Sequence, residues 1–197
     1  MSEQTQNIKQ QQILNAAKEL FWKHGIKRVT VEEICAKATV SKMTFYKYFG
    51  NKKELAVAIL DQTVGNAIQD FKALIHKDCS FTEKVNQMLK MKLEGTKDIS
   101  REFIYDIYKN PDLGLMPYME EHSKKSVLLT LEFLNDSQKK GHIRQDIKID
   151  FLMYLFNQML EMINDSKLNS NYDKPQDLIM EVTEFFFYGI GAKQLNG

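Results

Sequence analysis

Along almost the whole chain, apolar positions recur at spacings of three and four, and no segment shows the strict alternation of a half-buried strand. In "IKQQQILNAAKELFWKHGIKR", Ile13, Ala17, Leu20, Phe21 and His24 keep the helical spacing and Gly25 stands where a left-handed stop is needed. A helix over roughly 8–24 is predicted. In "VTVEEICAKA", Thr30 and Glu33 have the spacing of a capping box, with Val29 and Ile34 at the staple positions around it. The device returns in "TVSKMTF", where Ser41 is the cap and Val40 and Phe45 the staple. One short helix ending near Ala38 and another starting just after Ser41 form a helix-turn-helix.

Further along, "NKKELAVAILDQTVGNAIQDFKALIHK" reads as a long helix over about 51–76 with Asn51 as cap. Amphipathic stretches follow at about 81–95, 100–109, 112–140, 149–166 and 175–194, broken by "DCS", Pro111, "GHIRQDIK" and "LNSNYDKP". The pattern predicts an all-α fold of about nine helices: an N-terminal three-helix head, 1–52, and a helical body, 53–197. With only 9 Gly and 3 Pro, little interrupts these helices.

Projected at about 100° per residue, the third helix turns Phe45, Tyr48 and Phe49 to one side and Met43, Thr44, Tyr46 and Lys47 to the other. Lys42 lies on the flank in the first turn. Charge gives that outer side a meaning. Residues 1–55 carry 10 Lys+Arg against 5 Asp+Glu, a net of +5, while 56–197 carry 17 against 21, a net of −4, which sum to the overall +1. A basic head suits a polyanion. A solvated face accounts for the lysines well and for an outward Met43 and Tyr46 less well, whereas a helix in a DNA major groove uses both kinds of side chain.

The run "VTVEEICAKATVSKMTFYKYFGNKKEL", residues 29–55, closely resembles the DNA-binding signature of the tetracycline-repressor (TetR) family of bacterial transcription regulators, and the likeness extends back through "ILNAAKELFWKHG". The resemblance implies that Thr30 and Lys52 hold phosphates from the starts of their helices. Thr44 and Tyr46 would contact backbone or base at the groove edge, and Lys42 and Met43 would lie nearest the bases. Ser41 and Lys47 complete the implied DNA-binding set. The sequence departs from the family pattern at Thr39, where Gly is usual, at Cys35, where Ala is usual, and at Met43, where Gly, Pro or Ala is frequent. The rest of the chain resembles the family in length and helical character only. A homodimer on a double-stranded operator, responding to a small-molecule inducer, is what the resemblance implies.

Eight of the ten methionines lie beyond residue 55, several beside aromatics. Such residues are core more often than pocket, yet adaptable Met and Tyr also suit an apolar ligand. The candidate ligand residues are Met88, Met91, Phe103, Tyr105, Tyr108, Met119, Phe156 and Met159. "DFLMYLFNQMLEMIND" and "PQDLIMEVTEFFFYGIGAK" are apolar around too much of their circumference for surface helices, so they either complete the core or form a subunit interface. In the resembled family the final two helices of each subunit form a four-helix dimer interface, which singles out Phe151, Tyr154, Leu155, Met162, Phe185, Phe186 and Tyr188.

Catalytic chemistry finds no foothold. Ser137 and Lys140 form an SxxK without the motifs that accompany it in enzymes, and His24, His76, His122 and His142 lack metal-ligand spacing. No cofactor and no metal are expected. Glu120, Glu121 and His122 read as a solvated helix face, and Cys35 and Cys79 as small apolar filler. "MSEQTQN" lacks a signal-peptide core and no apolar run approaches the roughly 18 residues of a membrane span, so a cytoplasmic protein without membrane contact is expected. The function expected is a ligand-responsive regulator, most simply a repressor released by a small apolar or aromatic inducer. An activator of the same fold, or a module gripping something other than DNA, is the alternative.

Overall fold

The computed structural model describes residues 3–191. Among these the chain forms ten helices: α1 (Glu3–His24), α2 (Val31–Ala38), α3 (Lys42–Tyr48), α4 (Lys52–His76), α5 (Phe81–Gly95), α6 (Arg101–Tyr108), α7 (Met116–Lys139), α8 (Ile149–Asn164), α9 (Ser166–Asn169) and α10 (Pro175–Ile190). The all-α expectation holds, with one helix more than the nine predicted. The additional element is α9: Asp165 leaves helical geometry at φ −75°, ψ 115°, and its carboxylate accepts the Leu168 amide at 2.8 Å, so one chain segment becomes two helices. The last helix ends at Ile190, and positions 192–194 of its expected span lie outside the described residues.

The caps read from the sequence are present. Thr30 accepts the Glu33 amide at 3.2 Å while the Glu33 carboxylate accepts the Thr30 amide at 2.7 Å; Ser80, which lies in the "DCS" break of the sequence pattern, and Glu83 repeat the arrangement at the start of α5. Asn51 caps α4 by accepting the Glu54 amide at 2.9 Å, and Glu54 reaches back to the Gly50 amide. Gly25 ends α1 in the left-handed region at φ +80°.

Packing divides the chain into two compact units. Among the described residues the first comprises the chain up to 65 together with 98–120, and the second 66–97 together with the chain from 121. In the first, α1 packs on α2, α3 and α6, around fully buried Ile13, Phe21, Ile26, Ile34, Phe45 and Leu55. The packing boundary therefore does not fall after residue 52: α6 joins the head because Phe103 packs on Trp22 in a tilted pair with ring centroids 4.2 Å apart. In the second unit α10 packs on α5 and α8, around Phe133, Leu134, Leu152, Phe186 and Ile190. Buried Lys84 donates to the Ile75 carbonyl at 2.6 Å and so closes the C-terminal end of α4. His122 is also buried, which corrects the expectation of a solvated face there; Glu120 and Glu121 are exposed as expected.

Candidate nucleic-acid interface

The turn between α2 and α3 sets the outer face of α3. Thr39 adopts the left-handed conformation at φ 54°, ψ 46°, and its amide donates to the Ala36 and Cys35 carbonyls, so the chain reverses within three residues. Ser41 then accepts the Thr44 amide at 3.1 Å. Phe45 and Phe49 are buried and Tyr48 is half-buried against the head core, which fixes the rotation of the helix about its axis.

That rotation leaves the expected face outward. Met43 is 83% exposed and Tyr46 55%, and Lys47 and Ser41 are exposed beside them. An outward methionine on a short polar helix loses hydrophobic stabilisation unless something covers it. Thr44 is half-buried, its hydroxyl sharing a 3.0 Å hydrogen bond with that of Ser41. Lys42 is exposed and ion-paired with Glu32 of α2; the Glu32 carboxylate holds the Lys42 ammonium above its ordinary range and is itself held below its own by the same hydrogen bond. An exposed pair of this kind exchanges readily for a phosphate.

Two other helix starts border α3 in the sequence. At α2, Thr30 is exposed with its hydroxyl in the capping box, and the Glu33 carboxyl is held low chiefly by the Thr30 amide. At α4 the arrangement is less simple. The Lys52 ammonium is turned inward, donating to the carbonyls of Lys27 at 2.8 Å and Val29 at 2.7 Å, and burial pulls its pKa down against the opposing pull of Asp106 and Glu33. With two of the three ammonium donors spent on carbonyls, its backbone amide at the helix start is the better-placed phosphate donor.

The ligand candidates fall into separate clusters. Met88, Met91, Phe156 and Met159 belong to the core of the second unit, Phe103, Tyr108 and Met119 to that of the first, and Tyr105 is exposed. Of the interface candidates, Phe151, Tyr154 and Met162 stand exposed on α8, and Phe185, at 81%, and Tyr188 on α10. Leu155 is half-buried against the second core. Phe186 departs from that set: it is 3% exposed, edge-on to Phe156 and Phe187, because it lies on the inward side of α10. Ser137 is buried and Lys140 pairs with Asp136 at 2.7 Å, so the SxxK spacing assembles nothing.

Sequence reading missed Glu32 as the partner of Lys42, and missed the buried carboxylate of Asp106. A signal existed for the second: Phe103, Asp106, Ile107 and Asn110 follow one apolar stripe, and two of the four are polar.

A basic head that caps two successive short helices and presents the second with an exposed, partly apolar outer face is a helix-turn-helix DNA-binding module. Residues 13–59 match the profile of the bacterial regulatory proteins of the tetR family. Over 190 residues the chain is 26% identical to the uncharacterized HTH-type transcriptional regulator YvkB of Bacillus subtilis, covering 91% of this chain and 96% of that one. It is 20% identical over 153 residues to the HTH-type transcriptional repressor KstR2 of Mycobacterium tuberculosis, covering 76% of each. The crystal structure of FadR from Bacillus subtilis in complex with stearoyl-CoA shares its fold, with a TM-score of 0.65 at 18% identity over 91% of this chain and 98% of that one. Residues 13–59 thus carry the DNA-binding domain of the tetR family, and over most of its length the chain is similar to transcription regulators rather than to enzymes. Among the described residues no helix is long and apolar enough to cross a membrane.

Proposed function

We propose that the protein is a homodimeric, cytoplasmic repressor that binds an operator through the outer face of α3 and is released by a small apolar or aromatic ligand. The observation that carries the reading is Met43, exposed at 83% beside Tyr46, Lys42 and Lys47 on a capped helix of a basic head. Major-groove binding covers that methionine and gives the cations phosphates. Residues 1–52 take the DNA; 53–197 take ligand and partner subunit.

Repression agrees with the name of the similar KstR2, and an apolar ligand agrees with the stearoyl-CoA bound by FadR. In this chain Met88, Met91, Phe156 and Met159 offer such a ligand adaptable surroundings in the second unit. Phe151, Tyr154 and Met162 of α8 with Phe185 and Tyr188 of α10 form the proposed dimer face, since five large side chains stay exposed there in a single chain. A two-fold dimer sets two copies of α3 at a fixed separation, and ligand binding that favours another separation weakens the operator complex.

Selection from a pool of random duplexes tests the reading. Enrichment of a two-fold symmetric sequence with half-sites about one helical turn or a multiple apart is expected. Enrichment of nothing, or of single asymmetric sites, contradicts it.

A further inference from the structure

The turn joining α1 to α2 is held from both sides by residues distant in sequence. Asp106, 5% exposed on α6, accepts the backbone amide of Lys27 at 2.7 Å through Oδ2. Its Oδ1 accepts Nδ2 of buried Asn110 at 3.1 Å, and Asn110 in turn accepts the Asp112 amide at 3.2 Å. On the other side of the same residue, the Lys27 carbonyl accepts from Nζ of Lys52, which also binds the Val29 carbonyl. Gly25 permits the approach: a Cβ there, besides its φ of +80°, would stand 2.9 Å from Asp106 Oδ2 and 3.0 Å from Glu102 Cβ.

The Lys52 ammonium stands across one peptide from the Asp106 carboxylate, which offsets part of the cost of burying that carboxylate. What they hold is the segment leading directly into Thr30, the cap of α2. The Asp106 carboxylate is buried and holds a donor on each oxygen, and the Lys52 ammonium is turned inward onto two carbonyls, so neither group is presented to a nucleic acid. Their effect on one must pass through the turn.

We infer that Asp106 and Lys52 are positioning residues for DNA recognition: together they clasp the Lys27 backbone and fix the angle at which α2, and α3 packed on it, meets the duplex. This rests on the DNA-binding reading above, and it assigns Lys52 a different part from the side-chain phosphate contact implied by resemblance.

The test compares Asp106→Ala, Asp106→Asn and Lys52→Met in the full-length protein, by amide hydrogen exchange without DNA and by affinity for the selected operator across salt concentrations. Asp106→Ala and Lys52→Met are expected to lose exchange protection around residues 25–33 and to bind about tenfold more weakly or worse. The salt slope of Lys52→Met should match wild type, and Asp106→Asn, which keeps an acceptor for the Lys27 amide, should recover most of the affinity. A salt slope in Lys52→Met reduced by about one phosphate contact, with Asp106→Asn and Asp106→Ala both at wild-type affinity, overturns the inference. Wild-type protein that binds no DNA sinks the functional reading instead. The clasp is then judged on exchange alone: unchanged protection at Lys27 in Asp106→Ala and Lys52→Met overturns it, and lost protection in both upholds it.

Discussion

Thr39 holds a left-handed conformation that a β-branched side chain disfavours, and it does so because its amide must close the end of α2. Thr39→Gly is therefore expected to raise stability by about 1 kcal/mol, read as a shift in the urea midpoint. An unchanged or lowered midpoint means that the threonine side chain compensates for its backbone. The departure was visible in the sequence by resemblance, because Thr39 stands at the turn position that is usually Gly in the resembled family. Side-chain partners were less legible. Glu32 with Lys42, and Asp106 with Lys27, are pairings across helices, and a periodic pattern gives the face of a residue but not what stands opposite it.

At the scale of the element, capping and amphipathicity were read with little error because both are local. The capping boxes of α2 and α5 carry a pH dependence of known sign. The Glu33 carboxyl is held below its ordinary value, mainly by the Thr30 amide, and that of Glu83 likewise by the Ser80 amide. A depressed carboxylate stabilises fully above its unfolded value, about 4.3, and the contribution disappears as pH falls through the lower folded value. The stability difference between wild type and Glu33→Gln should thus be constant near neutrality and shrink in acid; a difference that grows on acidification contradicts the capping role. The inner and outer sides of α10 separate just as clearly. Phe186→Ala removes a buried ring and should cost about 3–5 kcal/mol in thermal or urea unfolding. Phe185→Ala, on the outer side, should spare the fold of the subunit and loosen the dimer in sedimentation. Equal effects of the two substitutions would remove α10 from the proposed interface. Sequence pattern placed both phenylalanines in one apolar helix, and only the packing of α5 and α8 on it tells the two sides apart.

For the molecule as a whole, the contrast between a basic head and a mildly acidic body was evident from charge counting, and the helix-turn-helix from its caps. The place of α6 was not. It follows the long α4 and the intervening α5 in the chain, yet the tilted Trp22–Phe103 ring contact and the Asp106 contact join it to the head. Ligand-facing residues were equally hidden, since Met and aromatic positions at helical spacing look the same in a core and in a pocket. The central claim, that the outer face of α3 grips DNA, is tested most directly by titrating binding of the purified protein to DNA upstream of its own gene against salt, with unrelated DNA and the Tyr46→Phe and Thr44→Ala variants alongside. The account predicts selective binding whose logarithm falls linearly with that of salt, weakened in both variants without a change in fold. Binding indifferent to salt, or wild-type selectivity in both variants, would contradict it.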